Sequence, residues 1–459
     1  MKAILFLLFT FLTSCSMNAQ DITGQWNGII KIQGIQLRAV FHISKTDSGY
    51  SSTMDSPDQG VKGLPVTTTT FENSKLKLES AISKFEYTGE LQDSIITGTL
   101  KQNGISIPLT LSKTTAVTSK NTRVKRPQEP KKPYPYYSED VSFKNNKANI
   151  TLAGTLTLPQ KEGFYPVVIL ITGSGPQNRD EEIMDHKPFL VISDYLTRNG
   201  IGVLRYDDRG VAQSTGDFKT ATTADFATDV ESAISYLKTR KDINAKKIGL
   251  IGHSEGGIIA PMVAAKSKDV DFIVLLAGTG LPGDKLLLLQ QERIQKAMQM
   301  DAKEISKEQE IFRGAYDMVL KSNTDGTNLK NKLNAYFKQS FDDKLSAEQV
   351  NAMSNQITTP WMFYFLKYNP EPTLEKVKCP VLAIDGEKDW QVPPENLIAI
   401  KTALEKGGNK NVTTKLFPNL NHLFQDSKTG LPSEYSEIEE TFSPVALDLI
   451  ARWIKQQVD

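Results

Sequence analysis

The stretch Ile248-Gly249-Leu250-Ile251-Gly252-His253-Ser254-Glu255-Gly256-Gly257 runs from an apolar segment into a Gly-x-Ser-x-Gly motif and on into the apolar residues Ile258 to Ala265. It reads as strand, tight turn and helix. A serine nucleophile needs that layout: on a sharp, strained turn its hydroxyl projects, and small residues two before and two after let the flanking backbone pass without a Cβ clash. Gly252 and Gly256 hold those places. The pentapeptide alone occurs by chance in many proteins, so the weight rests on the strand before it and the helix after it.

Strands and helices alternate around this elbow. Val167 to Thr172 is an apolar strand ending in Gly173-Ser174-Gly175-Pro176, Gly202 to Tyr206 is another, and Ala224 to Arg240 has a helical period. Phe272 to Ala277 and Val381 to Ile384 are further buried strands, and Pro444 to Gln457 is an amphipathic terminal helix. Continuous apolar strands separated by helices predict a mostly parallel sheet covered on both faces, an α/β fold. The alternation breaks once, between Gly280 and Lys376. That span is charged and helical in period over Leu286 to Met300, Lys303 to Lys321, Leu329 to Phe341 and Ala347 to Ile357, and ends in Trp361-Met362-Phe363-Tyr364-Phe365-Leu366. Lying between two sheet strands, residues 281–376 must leave the sheet and return, which predicts a helical lid that excludes water and shapes a pocket. For any one residue of the aromatic cluster, packing onto the sheet is the plainer role, and lining an acyl pocket the functional one.

A serine hydroxyl is a poor nucleophile at neutral pH and needs a base within hydrogen-bond reach, itself oriented by a carboxylate. The chain holds four histidines. His253 is fixed by the elbow, His42 falls in an alternating strand of the N-terminal region where a structural role is expected, and His186 lies upstream of the elbow. His422, in Pro418-Asn419-Leu420-Asn421-His422 after the extended run Thr413 to Phe417, stands downstream of the serine as the order Ser, Asp, His requires. The orienting acid should lie between them at the carboxyl end of a strand. Val381-Leu382-Ala383-Ile384-Asp385-Gly386-Glu387-Lys388-Asp389 supplies three acids, of which Asp389, beyond the Gly386 turn, is best placed; Asp385 and Glu387 are the alternatives. For the oxyanion of a tetrahedral intermediate, one main-chain donor is expected at Glu255 and the other at Ser174, each contributing roughly a hundredfold to a thousandfold in rate. The Glu255 carboxylate is a separate matter, since helix N-termini favour acids. Arg205-Tyr206-Asp207-Asp208-Arg209-Gly210-Val211-Ala212-Gln213-Ser214 is read as an Asp-Arg network bracing a loop rather than as a substrate contact.

Toward the N-terminus the pattern changes. From Ile22 to about Leu111 the chain is built of alternating runs such as Ile30-Lys31-Ile32-Gln33 and Lys75-Leu76-Lys77-Leu78, punctuated by Gly34, Ser48-Gly49, Asp58-Gln59-Gly60 and Asn103-Gly104. Period two with regular turn signals predicts a small all-β sandwich or barrel over residues 21–113. Residues 114–137 turn to Thr, Lys, Arg and Pro, which predicts a solvated, semi-rigid linker ahead of the α/β domain at 138–459.

Length and composition bound the rest. A chain of 459 residues exceeds one ordinary core, so two domains are expected. Lys and Arg number 54 against 53 Asp and Glu, which leaves no electrostatic footprint for nucleic acid or an anionic membrane surface. Lys2, the apolar run Ala3 to Leu12 and the small and polar residues after it read as a secretory signal over residues 1–20, too short to span a bilayer permanently. Export is expected, to the periplasm, the medium or a membrane anchor. Leu12-Thr13-Ser14-Cys15 resembles a bacterial lipobox, which would make Cys15 a lipid anchor, while Asn18-Ala19-Gln20 resembles a soluble-export cleavage site; both endings stay open. The other cysteine, Cys379, precedes Pro380 at the mouth of a strand and reads as a small buried hydrophobe rather than a catalytic thiol, with no internal disulfide.

Together Gly173-Ser174-Gly175-Pro176-Gln177-Asn178-Arg179-Asp180, Asp208-Arg209-Gly210 with Ser214, Gly252-His253-Ser254-Glu255-Gly256-Gly257, Gly386-Glu387-Lys388-Asp389 and Asn421-His422 resemble the α/β-hydrolase superfamily. More closely they are similar to exported bacterial carboxylesterases that carry a β-rich domain ahead of the hydrolase and are often grouped with serine aminopeptidase-like sequences. The resemblance spans about Tyr134 to Val458. It implies a Ser254, Asp389, His422 triad, hydrolysis of small-molecule esters with short acyl groups, and no cofactor or metal. Two positions depart from it: Thr172 stands where many relatives have a histidine, and Ala212 replaces a usual glycine. A peptide N-terminus is the alternative substrate, for which Glu304, Glu308 and Glu310 are candidate ammonium-binding acids; an inert hydrolase fold serving as a binding protein is the third reading.

Overall fold

The computed structural model describes residues 21–32, 35–47, 49–56, 61–80, 85–102, 105–113, 124–324, 326–341 and 347–459. The expected signal segment with Cys15, several of the quoted turn residues and positions 114–123 of the expected linker lie outside them. Two compact units divide at Lys120 and Asn121.

The first unit is a single antiparallel sheet. Its strands are β1 (Gly24–Ile32), β2 (Ile35–Thr46), β3 (Gly49–Ser56), β4 (Val61–Val66), β5 (Thr68–Glu72), β6 (Lys75–Ser80), β7 (Phe85–Gln92), β8 (Ile95–Gln102) and β9 (Ile105–Ser112). They pair in the order β4-β3-β2-β1-β9-β8-β7-β6-β5. Alternation puts one residue in two inside, Leu76 and Leu78 on β6 for example. The sheet is curled rather than flat. Phe41 on β2 and Tyr87 on β7 lie four places apart, about 19 Å in a flat sheet at the usual strand spacing, yet their ring centroids are 6.4 Å apart. Trp26, Phe41, Tyr87 and their neighbours fill that interior. His42 sits 2.9 Å from Asp55 on the adjacent β3, a cross-strand pair in keeping with the structural role expected of it.

The second unit has the α/β-hydrolase fold. Its strands β10 (Tyr137–Asn145), β11 (Ile150–Leu158), β12 (Tyr165–Ile171), β13 (Gly202–Tyr206), β14 (Ile243–His253), β15 (Phe272–Leu276), β16 (Val381–Gly386) and β17 (Val412–Phe417) form one sheet ordered β10-β11-β13-β12-β14-β15-β16-β17. β11 and its two neighbours run antiparallel, and the pairs from β13 to β17 are parallel. Helices α1 (Pro188–Arg198), α2 (Thr223–Lys238) and α3 (Gly256–Ala264) connect the early strands. α10 (Glu395–Lys406) and α11 (Pro444–Val458) connect and follow the late ones. Two apolar clusters cover the sheet, one on each face, which is why β13, β15 and β16 are buried throughout. From β12 the chain passes to β13 on one side and then crosses back over β12 to β14 on the other. Ligands in open α/β sheets bind outside the strand ends at such a switch point.

Between β15 and β16, six helices among the described residues leave the sheet: α4 (Gly283–Ala297), α5 (Ala302–Lys321), α6 (Thr327–Ser340), α7 (Ala347–Ile357), α8 (Pro360–Lys367) and α9 (Glu371–Leu374). The insertion has its own core, including Ile311, Val319, Leu333, Phe337 and Val350. Asp301 caps α5 by accepting from the N–H of Lys303 and Glu304.

The hairpin β10–β11 adds to the expected strands: β10 has a thin apolar pattern, whereas β11 alternates at Ile150, Leu152, Leu156 and Leu158. The second half of the expected linker differs from a solvated spacer. The Arg126 guanidinium donates to the carbonyls of Met184, Asp185, Ser436 and Ile438, and Gln128 bonds the main chain of Thr441 and Phe442. Residues 124–136 are therefore strapped to the second unit.

Candidate active site

The elbow is built as the motif requires. Ser254 follows the end of β14 with φ 53°, in the left-handed region that a serine adopts only at a cost. Its N–H is held by the Leu276 carbonyl at 2.9 Å. A Cβ on Gly252 would meet the Gly256 oxygen at 2.0 Å, and one on Gly256 the Ile171 oxygen at 2.2 Å. Neither position admits a side chain without a shift of the backbone.

Ser254, His422, Ser174 and Glu255 line one cavity of about 490 Å³. Its floor is the carboxyl edge of the sheet. Its walls include Leu286, Leu287, Phe312, Met353, Ile357 and Met362 of the helical insertion. Asp389 lies behind His422: its Oδ2 is 2.7 Å from His422 Nδ1, and its Oδ1 accepts from the N–H of Gln391 and Val392 at 2.8 Å. A fully buried carboxylate needs such donors. Of the other two candidate acids, Asp385 accepts from the N–H of Gly386, and burial, reinforced by the neighbouring Asp389 charge, pushes its carboxyl well above the usual carboxylate range. Glu387 is exposed on the turn. Of the three, the structure brings only Asp389 into contact with His422.

The loop after β12 passes directly beside the serine, since a Cβ on Gly173 would lie 3.1 Å from the Ser254 Cβ. It is braced from below. Asp208 accepts from the Thr172 hydroxyl at 2.7 Å and from the Gln177 N–H at 2.9 Å, which gives the departure at Thr172 a structural role. Asp207 binds Arg179 of the same loop, and Arg209 pairs with Asp229 on α2. This is the expected Asp-Arg network; none of its aspartates or arginines lines the cavity beside Ser254. Ala212 is left-handed at φ 46°, as a residue in a glycine position would be.

The Glu255 carboxylate does more than favour a helix end. It is buried, and its Oε1 accepts from the Thr223 hydroxyl at 2.7 Å and from the Trp361 indole N–H at 2.8 Å. Burial pushes its carboxyl upward, opposed by hydrogen bonds from Thr223, Trp361 and Ser174. Trp361 thus bonds the helical insertion to the elbow, a contact that its place in an apolar cluster does not announce.

His253 and Glu181 are also in the wall. His253 Nδ1 is 2.9 Å from Glu181 Oε1, and Nε2 is 3.0 Å from the His422 carbonyl. Burial disfavours the charged imidazole, but the Glu181 carboxylate and its hydrogen bond outweigh it and raise the His253 pKa. Glu181 is a residue that sequence reasoning passed over. His186 lies elsewhere, fully buried between Thr441 and the Tyr435 carbonyl. Cys379 packs against the apolar core, and burial pushes its thiol up to about 12, far from thiolate chemistry at neutral pH. Glu304, Glu308 and Glu310 do not line the cavity; Glu308 binds Gln291 and Gln295 within the insertion.

A family model described as serine aminopeptidase, S33, matches residues 188–427, a stretch that contains Ser254, Asp389 and His422. Esterase EstD of Thermotoga maritima is 27% identical over 325 residues, covering 70% of this chain and 69% of that protein. An uncharacterized 31.7 kDa protein from the traX-finO intergenic region of Escherichia coli is 25% identical over 274 residues, 58% of this chain and 87% of that one. Among solved structures, the α/β hydrolase GrgF of a Penicillium species superimposes with a TM-score of 0.44 at 17% identity, over 70% of this chain and 99% of that one. The Pyrococcus furiosus esterase Pf2001 gives 0.42 at 16% identity, over 71% and 92%.

Proposed function

We propose, since this chain belongs to the serine aminopeptidase (S33) family of α/β hydrolases, that it is an exported esterase cleaving short-acyl carboxylic esters through an acyl-enzyme on Ser254. The observation that carries this reading is the buried Asp389–His422 contact of 2.7 Å at the edge of the cavity that Ser254 lines. His422 accepts the Ser254 proton as the oxygen attacks the acyl carbon, and Asp389 holds the ring and stabilises the imidazolium. The oxyanion takes hydrogen bonds from the main-chain N–H groups of Ser174 and Glu255. As the intermediate collapses, His422 gives the proton to the departing alkoxide, which leaves as the alcohol. Water then repeats the sequence on the acyl-enzyme, giving up a proton to His422, and the acid and free Ser254 result.

An ester is favoured over a peptide N-terminus by the cavity's acids. An ammonium group wants an unengaged carboxylate facing it, whereas the two that line this cavity among the described residues, Glu181 and Glu255, already serve His253 and the Thr223–Trp361 pair. The relative named as an esterase supports the same choice. The insertion acts as the lid, its apolar residues meeting the acyl chain. Export rests on Lys2 and the run Ala3 to Leu12, with Cys15 as the anchoring position should the lipobox be used.

The test compares p-nitrophenyl butyrate with aminoacyl p-nitroanilides. Ester cleavage is expected to dominate in kcat/KM, and Ser254→Ala should lower kcat by about 10⁴ to 10⁶ and abolish fluorophosphonate labelling while leaving the fold intact. A loss below about tenfold overturns the nucleophile, and faster amide cleavage overturns the ester.

A further inference from the structure

Beside Ser254 the cavity wall holds a second carboxylate–histidine pair that the ester chemistry leaves unused. Glu181 closes the loop that follows β12, and its own backbone is left-handed, φ 50°, an unfavourable conformation for a residue with a long side chain. Its Oε1 accepts the Gly173 N–H at 2.7 Å and faces His253 Nδ1 at 2.9 Å. His253 Nε2 faces the main-chain carbonyl of His422 at 3.0 Å, and the two imidazole rings lie 4.8 Å apart. A carbonyl oxygen can only accept, so Nε2 carries a proton. A carboxylate is an acceptor only, so facing the Glu181 carboxylate Nδ1 donates as well. The result is one unbroken chain of bonds, Gly173 N–H to Glu181 to His253 to the His422 carbonyl. Its first member immediately precedes the oxyanion donor Ser174, and its last is the general base. Both side chains are almost wholly buried, so the chain is not loosened by water.

We propose that Glu181 and His253 are a positioning pair that fixes the Ser174 donor loop against the His422 loop across the nucleophile, an inference that rests on the esterase reading of this site. Neither side chain touches the reacting atoms. What they set is distance: a donor displaced by about 1 Å from a developing oxyanion costs on the order of a hundredfold. Since the two act as one link, removing either breaks it.

The test measures p-nitrophenyl butyrate hydrolysis per site titrated with a fluorophosphonate, together with the Ki of butylboronic acid, whose tetrahedral adduct needs the same oxyanion donors. Glu181→Ala and His253→Ala are each expected to lower kcat by about 10- to 100-fold with KM within about threefold. The boronate Ki should rise in step with the loss of kcat/KM. The double variant should be no worse than the poorer single one, since residues acting as a unit are non-additive. Glu181→Gln, whose amide oxygen still accepts, should recover part of the loss, and it carries the test with His253→Gln should the alanine variants yield no titratable sites. The proposal is overturned if kcat per titrated site stays within about threefold, if the loss falls in KM with the boronate Ki unchanged, or if the single effects multiply. Activity surviving in Ser254→Ala would overturn the esterase reading instead.

Discussion

Gly256→Ala is the sharpest perturbation of the elbow. The added methyl would lie 2.2 Å from the Ile171 oxygen and 2.9 Å from the Thr172 oxygen. Both are main-chain atoms, the first on the central strand β12 and the second in the donor loop, so no side chain can swing away. Restoring an ordinary carbon–oxygen separation, about 3.2 Å or more, moves the start of α3 and the end of β12, from which that loop springs, apart by about 1 Å. Overpacking of this kind costs about 1–3 kcal/mol of stability. Since α3 starts beside the Glu255 donor and the loop carries the Ser174 donor, the same displacement should cost about a hundredfold in turnover, equivalent to about 2.7 kcal/mol of transition-state stabilisation. Two measurements on one preparation check this: kcat on p-nitrophenyl butyrate per fluorophosphonate-titrated site, and the urea midpoint. Gly278→Ala is the control, because its nearest atom would be at 3.2 Å, and turnover there should stay within a few-fold. Wild-type turnover in Gly256→Ala would refute the argument that the donors and the nucleophile are held by this contact.

Trp361→Phe keeps an aromatic ring but removes the indole N–H from the buried Glu255 carboxylate; stability should fall by about 1–3 kcal/mol and KM for butyrate esters should rise, read from urea melts and steady-state kinetics. An unchanged midpoint would mean that the insertion is held by packing alone. Ala212→Gly should be neutral or stabilising by up to about 1 kcal/mol, because Ala212 is exposed and left-handed at φ 46°, so relief of strain offsets the freer unfolded chain; a loss of 1 kcal/mol would count against the strain. Burial lowers the His186 pKa to about 4 from 6.5. The unfolded state therefore takes up the proton first, so this contribution to stability is complete above about pH 6.5 and is lost as pH falls towards 4, by at most about 3 kcal/mol. The stability gap between wild type and His186→Gln, read from urea melts at pH 7 and pH 5, should narrow at the lower pH; a constant gap refutes the linkage.

What could be read in the sequence follows the range of the interactions. β13, β15 and β16 are buried on both faces and announce themselves as unbroken apolar runs. α5 announces itself by its period, with bounds Ala302–Lys321 against an expected Lys303 to Lys321. β10 is an edge strand whose only fully inward residues are Phe143 and Asn145, so its apolar pattern is too thin to register. The strap at Arg126 has the composition of a solvated linker. Its partners lie as many as 312 residues away, and nothing local marks them.

The site divides along the same line. The nucleophile turn is specified within five residues, by glycines whose necessity appears at 2.0 and 2.2 Å. His422 and Asp389 were accessible because few histidines compete and because strand ends carry acids. The Glu181–His253 contact spans 72 positions and the Trp361–Glu255 contact 106. Glu255 shows why these escape a linear reading. Beside a helix start, its charge is already accounted for by the helix dipole, so no further partner is called for. In the folded chain the carboxylate is buried. Burial makes the dipole insufficient, and three separate elements each bring one donor: Thr223 of α2, Trp361 of the insertion and Ser174 of the donor loop. An acid so supplied is tied at once to α2, to the helical insertion and to the loop after β12, so under the proposed mechanism a displacement of Glu255 would reach the insertion and the Ser174 loop together.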